Sequence, residues 1–219
     1  MSIAITEAIK TLAEAERRFR ITRSEDPAFF PEWRSDLPAL TSSETTDLIE
    51  LRRRYLYQRS EGQLLEGTVT LLMVAPLLTV AGFYDPPFRV RAEESVQLEL
   101  DDEDESLQGR IDVLVVLNQL WVVVLESKKT ALSVWTALPQ TLAYLMANPR
   151  PELPSFGIVT NGDEIFFVKL VQADQYYAVS RVFSPFVSGD ELCGVLQVLK
   201  RMGKEASEAI DFPKSSLFL

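Results

Sequence analysis

Residues 110 to 129, RIDVLVVLNQLWVVVLESKK, constrain the fold of this chain more than any other stretch. Two strongly apolar runs flank a short polar break, which predicts strands over 109–117 and 120–128 joined as a hairpin. The charges stand at the ends of the runs. Asp112 opens the first, and Glu126 and Lys128 close the second. Buried strands do not carry charge without a partner, because an unpaired buried charge is costly.

Side chains alternate faces along a strand, so Glu126 and Lys128 share one face. A three-residue turn at 118–120 sets position 117 against 121 and therefore 112 against 126. Directly opposed residues have Cβ atoms about 5 Å apart. Two carboxylates that close repel each other unless a cation lies between them, and a divalent metal with oxygen ligands fits. A two-residue turn without a bulge would put them on opposite faces. The competing reading of Glu-x-Lys alone is a strand-end ion pair.

Two further features bear on the same place. In the helix expected over about 61–81, Glu66 lies within roughly 60° of Val69, Met73 and Leu77 at 100° per residue. An inward-facing glutamate needs a partner, either a site or an arginine at the core edge. Glu61 falls roughly 140° away, towards another face. Gln140 and Tyr144 stand one helical turn apart behind Pro139, a spacing that ordinary helix surface also produces.

Composition narrows the chemistry. The chain has no histidine, which removes imidazole bases, His-based triads and His-ligated zinc or haem. A single cysteine, Cys193, excludes an internal disulfide. The longest apolar stretch, LLMVAPLLTVAGF, is too short to span a bilayer, and no export signal opens the chain. A cytoplasmic protein is expected. With 219 residues, 47% of them hydrophobic, the chain can bury a large core, and its net charge of −10 argues against general coating of nucleic acid. Basic surface would come from Arg17, Arg18, Arg20 and Arg23, or from Arg52, Arg53 and Arg54, unless these are solvated helix faces.

The remaining pattern is α/β: helices over 4–20, about 42–58, 133–147 and 189–203, and strands near 88–100 and 176–183. The hairpin FGIVTNGDEIFFVKL turns at Asn161-Gly162. The acidic run 101–105 reads as a solvated loop. This predicts a mixed central sheet flanked by helices over 59–219, behind a helical N-terminal region over 1–58 packed on that core.

Taken in order, Glu66, Asp112, Glu126-Ser127-Lys128 and Gln140-x-x-x-Tyr144 resemble the PD-(D/E)XK nuclease superfamily. The phrases GRIDVLVV, LWVVVLESKK, PQTLAYLMANP and FGIVTNGDEIFFVKL are similar to the N-terminal nuclease domain of type I restriction enzyme R subunits. They are also similar to stand-alone cyanobacterial restriction-subunit-like proteins. The likeness runs over roughly 60 to 203. It departs in two ways: Ile111 precedes Asp112 where the superfamily name has proline, and no Walker A glycine-lysine motif occurs.

The resemblance implies a restriction-endonuclease-like fold and a Mg²⁺- or Mn²⁺-dependent DNA endonuclease. Asp112, Glu126 and the Ser127 main-chain carbonyl would be metal ligands, and Glu66 would hold a water or a second ion. Lys128 would act on the attacking water, with Gln140 and Tyr144 supporting the site or touching the DNA backbone. Partners implied are DNA and other restriction-system subunits, not a membrane; the oligomeric state stays open, a homodimer included. The other reading is a non-catalytic binding or regulatory subunit of a restriction or repair complex.

Overall fold

The two apolar runs lie side by side as antiparallel strands in one eight-stranded mixed sheet. The computed structural model describes residues 2–99, 106–117, 120–127 and 129–211, with the main chain alone at 2, 99, 120–127 and 209–211. The acidic run 101–105 and Lys128 lie outside the described residues.

In chain order the elements are β1 (Ser2–Ala4), α1 (Ile5–Ala8), α2 (Leu12–Phe19), β2 (Thr22–Arg23), α3 (Ser42–Arg59), α4 (Glu66–Val69) and α5 (Ala75–Val80). There follow β3 (Arg89–Glu99), β4 (Ser106–Leu117), β5 (Leu120–Ser127), α6 (Leu138–Met146), β6 (Ser155–Thr160), β7 (Ile165–Val171), β8 (Tyr176–Val179) and α7 (Asp190–Asp211). The sheet runs β1-β4-β5-β6-β7-β8-β2, and β3 pairs with the other edge of β4. β5 and β6 are parallel, so α6 serves as their crossover.

Helices cover both faces. α3, α4, α5 and α7 close one core over Val113, Val115, Phe156, Ile158 and Phe167. α1, α2 and α6 close the other over Leu114, Val116, Val159, Phe166 and Val168. Strand alternation supplies the two sets, and each helix contributes an apolar stripe.

The N-terminal region differs from the helical expectation. β1 pairs with β4 and β2 with β8, so this region also extends the sheet at two places. The helix expected over 4–20 is split in two. Thr11 ends the break with a capping box: its hydroxyl accepts from Glu14 N at 3.2 Å while the Glu14 carboxylate accepts from Thr11 N at 3.0 Å. Thr41 and Glu44 cap α3 in the same way.

The helix expected from 61 begins at Glu66. Leu64 is held outside it by Thr130: Thr130 N donates to Leu64 O at 3.2 Å, and Leu64 N donates to Thr130 Oγ1 at 3.0 Å. A π-helical turn over Thr70–Val74, just before Pro76, joins α4 to α5. Pro76 has no N–H for the usual bond, and the wider turn accommodates the loss.

In the β6–β7 connection, Gly162 takes φ +89°, and a Cβ there would meet the Tyr55 hydroxyl at 2.4 Å. Tyr55 is fully buried, and its hydroxyl donates to Asp163 at 2.7 Å. Arg59 pairs with the same carboxylate at 3.0 Å, which binds α3 to the Asn161-Gly162 turn. This turn is therefore fixed by α3 as well as by its own residues.

Candidate active site

The hairpin connection decides whether Asp112 can stand beside position 126. Leu117 pairs with Leu120, so only two residues connect β4 to β5. Unbroken, that register would separate the faces of 112 and 126. A β-bulge between Val115 and Val116 shifts the register by one residue towards the expected alignment. Beyond it Val115 pairs with Val123, Leu114 with Val124 and Val113 with Leu125, and the ladder ends there, one step short of 112 and 126.

The main chain continues this row across the sheet. Glu126 pairs with Val159, and Val159 pairs with Phe166. Positions 126, 159 and 166 thus form one cross-strand row over β5, β6 and β7, and 112 lies one step past the end of the β4–β5 ladder. The side chain of Glu126 and all of Lys128 lie outside the described residues.

β4 changes phase at Asp112. Leu107 and Ile111 belong to one core, whereas Val113 and Val115 belong to the other, although all four positions are odd. On the β3 side, Ala92 pairs with Val113 and Glu94 with Ile111, and the ladder skips Glu93 and Asp112. Glu93 adopts φ +55°, the left-handed backbone that lets the strand take up the slip. On the opposite edge β1 pairs with 106–108 and β5 with 113–117, so residues 109–112 lie in a notch between them. Asp112 is half-buried at the end of that notch.

Tyr144 fills the notch from α6. A Cβ at Gly109 would lie 2.6 Å from Tyr144 Cε1 and 2.8 Å from Ile5 Cδ1, so only glycine admits the ring there. Gln140 Nε2 donates to the Tyr144 hydroxyl at 2.6 Å, and Tyr144 is buried. Gln140 and Tyr144 therefore act as one unit against the strand of Asp112.

Glu66 opens α4 and is half-buried. Val69, Met73 and Leu77 from its stripe are buried as expected. α4 lies over the face that buries Val113 and Ile158, while Val159 and Phe166 of the row serve the other face. The Leu64–Thr130 bonds tie the chain entering α4 to the chain leaving β5. Glu61 is exposed. Among the described residues, no three acidic, histidine or cysteine side chains form a metal cluster.

Thr130 and Gly109 carry structural roles here that sequence reasoning missed. A glycine inside an apolar strand is a signal for a close approach. Nothing in the sequence pairs Thr130 with Leu64. The arginines of α3 are already engaged: Arg52 donates to the Pro185 and Phe186 carbonyls at 2.7 and 3.1 Å, and Arg53 pairs with Glu50 at 2.8 Å. Arg23 pairs with Glu25 at 3.2 Å.

The family described as type I restriction enzyme R protein N terminus matches residues 33–176, well over half of the chain. The chain belongs to this family. As an R-protein N-terminal domain it falls among nuclease-like restriction domains. The match spans Glu66 through Tyr144, beginning earlier and ending sooner than the likeness read from the sequence. One solved structure that resembles the chain is a fragment assigned to the HsdR subunit of a type I restriction enzyme from Vibrio vulnificus YJ016. It is 21% identical with a TM-score of 0.40, over 60% of this chain and 26% of that one. This R-protein relative therefore has about four times the length that the chain matches. No curated protein matches the chain. No helix among the described residues is long and apolar enough to cross a membrane.

Proposed function

We propose that this R-protein N-terminal domain is a metal-dependent deoxyribonuclease of the PD-(D/E)XK type, acting in the cytoplasm on DNA, alone or with other restriction-system subunits. The observation that supports the reading is the bulge between Val115 and Val116, which sets Val113 against Leu125, the register in which 112 would next face 126. A bulge re-aims side chains, and this one shifts the register towards one that would oppose two acids of a nuclease-like family.

The donor set fits a hard cation. Asp112, Glu126 and the Ser127 carbonyl offer oxygen only, as Mg²⁺ and Mn²⁺ prefer, and the chain has no histidine to recruit softer metals. Such a cation would supply Lewis acidity and offset the phosphate charge. Lys128 would orient the attacking water and stabilise charge developing on the phosphoryl oxygens. Glu66 would hold a water or a second ion. Gln140 and Tyr144 would keep the Asp112 strand in place or touch the DNA backbone.

Nicking of supercoiled plasmid in Mg²⁺ or Mn²⁺ tests the proposal, with Asp112→Asn as the control. Wild-type nicking that the variant loses supports it. Equal activity in both, or none in wild type, defeats it. The second reading, a non-catalytic binding or regulatory subunit, is favoured by the net charge of −10 and would then stand.

A further inference from the structure

We propose that Trp135 is a stacking platform for an unpaired nucleobase, so that the substrate presents a single-stranded or distorted segment beside the cleavage point. This rests on the nuclease reading above and adds the substrate class. Trp135 lies in the 3-10 turn Val134–Ala137 that leads into α6, and it is 43% exposed. One face of its indole stacks on Phe166, with ring centroids 4.5 Å apart and planes 17° apart. Phe166 is itself fully buried, so the stacked face of the indole is covered and the exposed surface of Trp135 lies elsewhere on the residue.

The ring is held in place before any ligand arrives. Trp135 N donates to Ser133 Oγ at 3.4 Å, and Asn161 Nδ2 donates to Leu132 O at 2.8 Å, which ties the loop to the β6–β7 turn. A flat, fixed aromatic face suits a base, because every base offers a π-face and stacking needs no sequence.

Its position links it to the candidate site. Phe166 is the end of the row that passes through 126 and 159, and strands lie about 4.8 Å apart, so Trp135 sits over a point about 10 Å from the main chain of Glu126. Lys129, exposed and two residues beyond Ser127, stands on the chain between them. An ammonium at that point complements a phosphate, and a base attached near that phosphate comes within reach of Trp135.

The test is fluorescence polarisation of a labelled oligothymidylate and of a duplex of equal length, measured against salt. Trp135→Ala should weaken single-strand binding on the order of tenfold, while Trp135→Phe keeps most of it and duplex binding is unmoved. Lys129→Ala should lower the slope of log affinity against log salt by about 0.7, the loss of one single-strand phosphate contact. Circular dichroism checks that each variant folds, and Trp135→Phe retains the stack if Trp135→Ala does not. Unchanged single-strand affinity in Trp135→Ala overturns the proposal, as does wild type that binds no single strand. A changed sedimentation coefficient in Trp135→Ala without any strand binding would make the patch a protein contact and also overturn it. Plasmid nicking by wild type and Asp112→Asn reports separately on the nuclease reading.

Discussion

Leu64 and Thr130 hold each other by two hydrogen bonds, one from each main-chain amide. They lie two residues before Glu66 and two residues after Lys128. This pair couples the start of α4 to the end of β5, the two segments that carry the candidate site from opposite sides. Thr130 is nearly buried, so Thr130→Val leaves the Leu64 amide without its acceptor and should cost about 1–2 kcal/mol in urea unfolding. Thr130→Ser should restore stability and nicking together. Full nicking in Thr130→Val would detach the Leu64–Thr130 contact from the site.

The acids of the candidate site should respond to metal as a set. On the proposed reading Glu66, Asp112 and Glu126 would be gathered near Lys128, and like charges held close disfavour one another. Binding to the folded state stabilises by mass action, about 2.7 kcal/mol at a hundredfold excess over Kd, so millimolar Mg²⁺ or Mn²⁺ should raise Tm. Asp112→Asn should lose most of that rise and slightly stabilise the metal-free protein. Lys128→Ala should keep the rise but lose cleavage. Thermal unfolding with and without metal checks all of these, and a flat wild-type response would remove the metal site.

Gly109 is where Tyr144 meets the Asp112 strand. Adding one methyl there forces it within 2.6 Å of the ring, and overpacking of this sort costs about 1–3 kcal/mol. Gly109→Ala should therefore lower Tm and, by displacing the Gln140–Tyr144 unit, reduce nicking beyond the loss in folded protein. Normal activity at a temperature where the variant is fully folded would show that Tyr144 has only a packing role.

Two buried tyrosines predict an alkaline limit. Burial first, then the hydrogen bond to Asp163, raises the Tyr55 pKa above its ordinary value; burial and then Glu16 do the same for Tyr177. The folded protein thus holds these protons while the unfolded chain releases them from about pH 10 upward. Their stabilising contribution is complete below that pH and is lost as pH rises, by up to about 1.4 kcal/mol per pH unit for each tyrosine. Urea titrations between pH 9 and 11 should show the fall. Tyr55→Phe and Tyr177→Phe should each make it shallower, and an unchanged slope in both would refute the assignment.

Sequence alone determined the elements with a strong local signal. The apolar runs around Asn118 and Gln119 specify a hairpin because strands of that composition can only be buried. Val69, Met73 and Leu77 specify the buried stripe of the helix that Glu66 opens. Asn161-Gly162 specifies a turn because glycine tolerates φ above zero. Gln140 and Tyr144 are neighbours because helical spacing makes them so. Tertiary structure decided the rest. The two-residue connection alone would have set 112 against 125, and the bulge that shifts this register has no glycine or other turn residue to mark it among Val115, Val116, Trp121, Val122 and Val123. β1 and β2, at three and two residues, are too short to show alternation and exist as strands only because β4 and β8 offer them partners. The first turn of α4 waits until Glu66 because a threonine 66 residues away in sequence occupies the amide and carbonyl of Leu64. Local preference sets which segments become strand or helix, but register, edges and the meeting of distant segments depend on partners that no local window contains.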